Sequence, residues 1–431
     1  MQITERDRKY IWHPFTPQKN MATPIPIVKG KGTLLFDDKG NEYIDAISSW
    51  WVTLHGHAHP YIAEKLYNQA LQLEQVIFAG FTHQPAVDLA ERLINLLPKG
   101  FSKIFYSDNG STSTEVALKM AIQYWWNQNE ETRDKKQGTR NNILAFKNSY
   151  HGDTFGAMSV SDRSVFTLAF HDLLFEVIFI DTPTEENIEA TKTIIHDHAD
   201  SIAAFIYEPL VQGAGGMKMY DADLMNDLLS TIKVHNIICI ADEVMTGFGR
   251  TGKLFASEFL NEKPDIICLS KGLTGGTMAL GVTACNDKIY TAYVNDDKMK
   301  TFFHGHSFTA NPLACTSALA SLDLLEQSQA IEAIAWLTRE NEIFRERLIN
   351  DHHFICRNVR SLGTILAFEI ALGKDEYLNN ISSVITEKAL SKGVYIRPLG
   401  NTVYIMPPYC ITKDELMKVY QTIIEILNQL N

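Results

Sequence analysis

A lysine, an aspartate and a glycine–hydroxyl loop are the residues whose types and settings could do chemistry. Lys271 follows the apolar run IICLS and precedes Gly272. A lysine at a buried strand end is costly unless its ammonium is paired, neutral or consumed in a covalent bond. A Schiff base with a carbonyl does the last. Asp242 ends a second apolar run, IICIAD, and needs a cation there. A protonated pyridine is one such cation: the carboxylate keeps the ring charged, and the charged ring drains electrons from a substrate carbanion. At about 3–4 Å in a partly buried site that pair attracts by roughly 4 kcal/mol before desolvation, enough to hold the ring protonated. The third feature is Asn109-Gly110-Ser111-Thr112, directly after the run KIFYS. Gly110 lets backbone approach an anion, Ser111 and Thr112 offer hydroxyls, and Thr112 with Glu115 matches the T-x-x-E capping box of a helix start. Free N–H groups and the dipole at such a start bind phosphate without a lysine. Singly, each feature also fits a plain role: a lysine emerging into solvent, an aspartate capping a loop, an ordinary helix start.

The elements that must position these residues follow from the apolar pattern. Short apolar runs (103–107, 142–146, 202–209, 237–244, 266–272) recur between helical stretches such as 113–126, where Val116, Met120 and Tyr124 share one face. Strands covered by helices on both sides read this way, and the alternation predicts an α/β fold with a mostly parallel sheet. Ligands bind such sheets at the carboxyl ends of strands. Asp242, Lys271, Glu208 and Tyr150-His151 all fall there. The pattern predicts a large domain over 55–324 and a smaller α+β domain over 325–431, with residues 1–54 contributing to the small one. The hydrophilic stretch 127–142 reads as an exposed connection.

The formal net charge of −12 argues against nucleic acid or an anionic membrane as main partner. No run of about 18 apolar residues predicts a spanning helix. The N-terminus lacks a signal peptide's apolar core, and the six cysteines form no C-x-x-C pair, so the expected setting is the cytoplasm. Gly247, Gly249 and Gly252 match the dinucleotide fingerprint G-x-G-x-x-G. No strand runs directly into the first glycine and no ribose-binding acid follows at the required distance, which disfavours nicotinamide or flavin. His55, His57 and His59 alternate as metal ligands might, but Gly56 and Pro60 favour a polar loop, and no metal is expected.

Taken together, ADEVMTGFGRTG (241–252), PDIICLSKGLTGG (264–276), EPLVQGAGGM (208–217) and RPLG (397–400) resemble the class III aminotransferases, transferases of fold type I that depend on pyridoxal 5'-phosphate (PLP). Within that family, IWHPF (11–15), SSWW (48–51), YHGDT (150–154) and FFHGHSFTANPLAC (302–315) resemble the branch that converts 8-amino-7-oxononanoate to 7,8-diaminononanoate in biotin biosynthesis. The resemblance implies that Gly110 and Ser111 hold the PLP phosphate, Tyr150 stacks on the ring, Asp242 binds its nitrogen and Lys271 is the covalent anchor. It also implies a homodimer, with Gly305, His306 and Ser307 reaching the site from the neighbouring subunit. Trp50, Tyr150, Lys271 and Gly305 would line the substrate channel, and Arg397 would receive the substrate carboxylate. His306-Ser307 stands in place of a Pro-Thr pair, and Phe15 where S-adenosylmethionine users carry a tyrosine. S-adenosylmethionine remains the expected amino donor, with lysine, toward which the missing hydroxyl points, as the alternative. The rival readings are another ω-amino acid aminotransferase and a binding protein that merely keeps the fold.

Overall fold

The computed structural model describes residues 2–128, 140–372 and 381–430; most of the stretch 127–142 therefore lies outside the described residues. Near the N-terminus three short strands form, β1 (Ile27–Lys31), β2 (Leu34–Asp37) and β3 (Glu42–Asp45). The middle of the chain supplies β4 (Phe101–Ser107), β5 (Asn142–Phe146), β6 (Val177–Ile180) and β7 (Ile202–Tyr207). A small hairpin, β8 (Val211–Gln212) with β9 (Lys218–Met219), precedes β10 (Ile238–Asp242), β11 (Ile266–Leu269) and β12 (Gly281–Asn286). The C-terminal part adds β13 (Cys356–Leu362), β14 (Ile365–Ile370), β15 (Val394–Tyr395) and β16 (Thr402–Ile405).

The central sheet has the order β4-β12-β11-β10-β7-β5-β6. Its pairings are parallel except that β12 runs against both β11 and β4. Every residue of β7, β10 and β11 is buried, as continuous apolar runs require when both faces are covered. Alternate residues serve opposite cores. Phe205, Cys239 and Ile267 pack into one apolar cluster, and Ile206, Ile240 and Ile266 into the other. The helix Gly110–Gln128 lays Val116, Met120 and Tyr124 into the second cluster, so its start is fixed at the sheet's edge.

The two chain ends share a second sheet, in which β3 pairs in parallel with β15 (Ile44 opposite Val394, Asp45 opposite Tyr395). A third, antiparallel sheet of β13, β14 and β16 belongs to the C-terminal part. The long helices Ser328–His352 and Lys413–Leu430 meet where Phe344 stacks on Tyr420 at 4.0 Å. The expected strands at 103–107, 142–146, 202–209, 237–244 and 266–272 are present within a few residues of those bounds. Within the central sheet, β6 and β12 had no counterpart among the runs read from the sequence.

Candidate active site

Asp242 is the last residue of β10, opposite Cys268 of the neighbouring parallel strand β11, and Lys271 begins the turn just beyond that strand. Strand ends some 5 Å apart thus deliver both side chains to one edge of the sheet. A cavity of about 470 Å³ opens there, walled by Asp242, Lys271, Gly110, Ser111, Tyr150, His151 and Glu208 among others. The lysine and the aspartate that the chemistry demands thus line one cavity.

The loop after β4 forms the cavity's other end. Asn109, not Thr112, caps the helix: Asn109 Oδ1 accepts the Thr112 N–H at 3.0 Å while Thr112 Oγ1 accepts the Asn109 N–H at 3.1 Å. The expected Thr112–Glu115 box is therefore corrected. Glu115 instead accepts the Gly156 and Ala157 N–H groups at 2.6 and 3.1 Å, because the short helix Phe155–Val160 packs against this one and presents the free donors of its first turn. The Gly110 and Ser111 N–H groups have no hydrogen-bond partner among the described residues. The Ser111 hydroxyl accepts from Asp153 N–H at 3.1 Å, which leaves its own proton to give. A Cβ on Gly110 would lie 2.7 Å from Val244 Cγ1, and one on Gly152, at φ +131°, 2.2 Å from Ser111 Oγ. Both contacts are too close for a side chain, so the glycines keep the cradle narrow. It fits a phosphate group.

The electrostatics of the opposite end suit an aldehyde and a pyridine nitrogen. Burial pushes the Lys271 amine down to about 8; Asp242 and Glu208 work against that fall, and Arg250 adds to it. Its Nζ sits 4.4 Å from the centre of the Trp51 ring. Asp242 Oδ2 is 2.7 Å from His151 Nδ1, and Oδ1 accepts the Val244 N–H at 3.1 Å, so the carboxylate plane is fixed. His151 Nε2 is buried with no hydrogen-bond partner among the described residues. Glu208 accepts the N–H groups of Tyr150 and Gly213 at 3.2 and 2.8 Å, tying the ring-bearing loop to the strand end. Its burial lifts the carboxyl to about 7. The donor set therefore fits PLP: anion acceptors at one end, a buried carboxylate and a near-neutral amine at the other.

A second cluster lies outward of the cavity. The Arg397 guanidinium stands 4.8 Å from the Trp50 ring centre, Phe15 meets Trp50 at 5.4 Å and Phe166 at 5.8 Å, and Phe166 meets Tyr150 at 6.3 Å. Trp50 and Trp51 diverge because Ser48–Trp51 is a left-handed turn with φ between 45° and 75° at all four residues. Such a conformation costs about 1–2 kcal/mol per residue that carries a side chain.

Among the expected site residues, Gly110, Ser111, Tyr150, Asp242 and Lys271 line the cavity and Trp50 and Arg397 meet outside it. Gly305, His306 and Ser307 do not line it within this chain: Ser307 O accepts from Gln75 Nε2 and His306 N–H donates to Thr309 Oγ1. The alternating histidines are divided, His55 bonding Ser321 at 3.0 Å and His57 bonding Asp45 at 3.0 Å. The sequence put His151 and Glu208 at strand ends and Trp51 in the SSWW segment without assigning any of them a chemical role, and it did not single out Phe166. Glu208 carried the same signal as Asp242, a carboxylate at the end of a buried run.

The chain belongs to the class-III aminotransferases, whose family profile matches residues 15–427. It is a PLP-dependent aminotransferase of fold type I, with the mostly parallel α/β sheet described above. Its relatives include the adenosylmethionine-8-amino-7-oxononanoate aminotransferases of Synechococcus elongatus, 44% identical over 98% of this chain and 99% of that one, and of Helicobacter pylori, 39% identical over 98% and 97%. The crystal structure of the enzyme of that name from Methanocaldococcus jannaschii is 35% identical, with a TM-score of 0.92 over 99% of this chain and 98% of that one. A PLP-bound amine transaminase from an uncultivated Pseudomonas species is 29% identical, with a TM-score of 0.89 over 98% and 99%.

Proposed function

We propose that this enzyme moves an amino group from S-adenosylmethionine to 8-amino-7-oxononanoate, giving 7,8-diaminononanoate for biotin biosynthesis. The observation that carries the reading is the pairing of the Lys271–Asp242 cavity with an Arg397 stacked on Trp50 just outside it. An arginine so placed offers its planar fork to a carboxylate, and 8-amino-7-oxononanoate carries one at the end remote from its ketone.

Bound PLP supplies an aldehyde that takes up amines and an electron sink that acidifies the carbon bearing them. Lys271 would hold the aldehyde, and its Nζ would move the substrate's proton as base and then acid. Asp242, oriented by His151 and the Val244 N–H, would bind the ring nitrogen. Gly110 and Ser111 would bind the phosphate, and Tyr150 would lie against the ring. Trp50 and Tyr150 line the substrate channel. Gly305, His306 and Ser307 of the partner subunit complete the site in a homodimer. Exposed apolar residues near that segment, Phe81, Phe303 and Phe308, support such a contact. The domain division proposed is 1–54 with 325–431 against 55–324, supported by the pairing of β3 with β15. A cytoplasmic setting is supported by six free cysteines.

Lysine as donor is the second reading, favoured by Phe15, whose ring contacts Trp50 and Phe166 and brings no hydroxyl. The test is turnover of 8-amino-7-oxononanoate with S-adenosylmethionine, lysine, ornithine and 4-aminobutyrate in turn. S-adenosylmethionine is expected to serve. Turnover with lysine alone overturns the donor, and amination of short keto acids with neglect of the long one overturns the acceptor.

A further inference from the structure

Ser48, Ser49, Trp50 and Trp51 have φ of 52°, 45°, 72° and 75°, a run of four residues with side chains in the left-handed region and no glycine among them. Such a run persists only where its surroundings over-determine it. Here the restraints converge on one buried carboxylate. Asp45 Oδ2 accepts the Ser49 hydroxyl at 2.6 Å and lies 3.0 Å from His57 Nε2, while Oδ1 faces the Ile47 N–H at 3.3 Å. Ser48 Oγ ties the turn to Met406 O at 2.7 Å.

The turn gives two adjacent tryptophans different walls. Successive side chains of a helical turn diverge by about 100°, so Trp51 faces inward and Trp50 faces out. Trp51 donates its Nε1–H to Tyr404 Oη at 3.0 Å and lies under Lys271, while Trp50 carries the Arg397 guanidinium and Phe15. An extended backbone would send them to opposite sides, and one of the two contacts would be lost.

We propose that Asp45, Ser49 and His57 form a lock that sets acceptor selectivity, holding the left-handed turn so that the Trp50 ring presets the Arg397 fork for a carboxylate. The lock rests on the reading that Arg397 receives the acceptor's carboxylate. Ser49 is a positioning residue and acts through Trp50.

The test compares holoenzyme carrying Ser49→Ala, which removes the hydrogen bond and keeps the strain, with Ser49→Gly, which removes the hydrogen bond and the strain at that one position. The measured quantities are kcat and KM for 8-amino-7-oxononanoate and for its methyl ester. Both variants are expected to lower the acid-over-ester preference about tenfold, the scale of one charge-assisted hydrogen bond, through KM for the acid with kcat little changed. Adding Ser49→Ala to Trp50→Ala is expected to remove no further preference. An unchanged preference in both Ser49 variants, or additive losses in the double variant, overturns the lock, as does an equal loss for acid and ester with a lowered melting temperature. Arg397→Met separates the two ideas. If it abolishes the preference while the Ser49 variants keep it, the lock alone fails; if it leaves the preference intact, the carboxylate reading fails and takes the lock with it.

Discussion

Lys271 offers the sharpest test of the site's electrostatics. Burial holds its amine at about 8 instead of the ordinary 10.5. At pH 7 roughly a tenth of the molecules then carry a neutral amine, against about one in three thousand for an unshifted lysine, a gain of about 300-fold in the reactive form. Apoprotein mixed with PLP should therefore develop the visible band of the lysine-bound cofactor at a rate that rises with pH and levels off around a midpoint near 8. Asp242→Asn removes an anion that holds the proton on, so its midpoint should fall below that of the parent. The same shift has a stability consequence with a definite sign. Between about pH 8 and 10.5 the unfolded chain keeps a proton that the folded chain has released, so stability rises with pH across that window; below it the buried ammonium costs about 3 kcal/mol. Lys271→Met should accordingly make the apoprotein more resistant to urea at pH 7. A capture midpoint at 10 or above, or an upward move in Asp242→Asn, would refute the reasoning.

Three further outcomes follow from the geometry. Arg397→Met should raise KM for the keto acid by about 10- to 100-fold with a smaller change in kcat, since it removes a charge-assisted fork; steady-state kinetics giving an unchanged KM would contradict that role. Burial lifts Glu208 to about 7, so the folded state binds its proton more tightly than the unfolded chain, and the resulting stability is present at low pH and lost as pH rises through 7. Glu208→Gln should flatten the fall in melting temperature between pH 5 and 8, and equal slopes in the two proteins would count against it. Gly110→Ala drives a methyl to 2.7 Å from Val244 Cγ1 and should weaken PLP binding at least about tenfold, read by equilibrium titration of the apoprotein; unaltered affinity would show that the cradle is wider than drawn.

The parts of the site legible in the sequence are those that depend on one rule. Runs that are buried throughout become parallel strands, and whatever ends them gathers at one edge; Asp242 and Lys271 needed nothing more. What escaped depends on contacts between distant segments. Thr112 and Glu115 have the spacing of a cap, yet Glu115 is taken by N–H groups some forty residues on, a choice no local pattern records. The left-handed turn at Ser48–Trp51 leaves no glycine to betray it, because Asp45 and His57 supply the restraint. Strand β12 was missed, although five of its six residues are buried, because Gly281, Thr283 and Asn286 interrupt the apolar run in GVTACN.

The cavity and the outer cluster differ in how much of the chain they need. Residues between 108 and 280, with Trp51 and Val52, wall the first, whereas Phe15, Trp50 and Arg397 draw the second from both ends. A chain leaving the ribosome thus has its own walls of the cofactor chamber, though not the partner's Gly305, His306 and Ser307, before its last third is made, and no means of choosing among keto acids until Arg397 has emerged. Catalytic equipment comes first in this architecture, and discrimination arrives with the final strands.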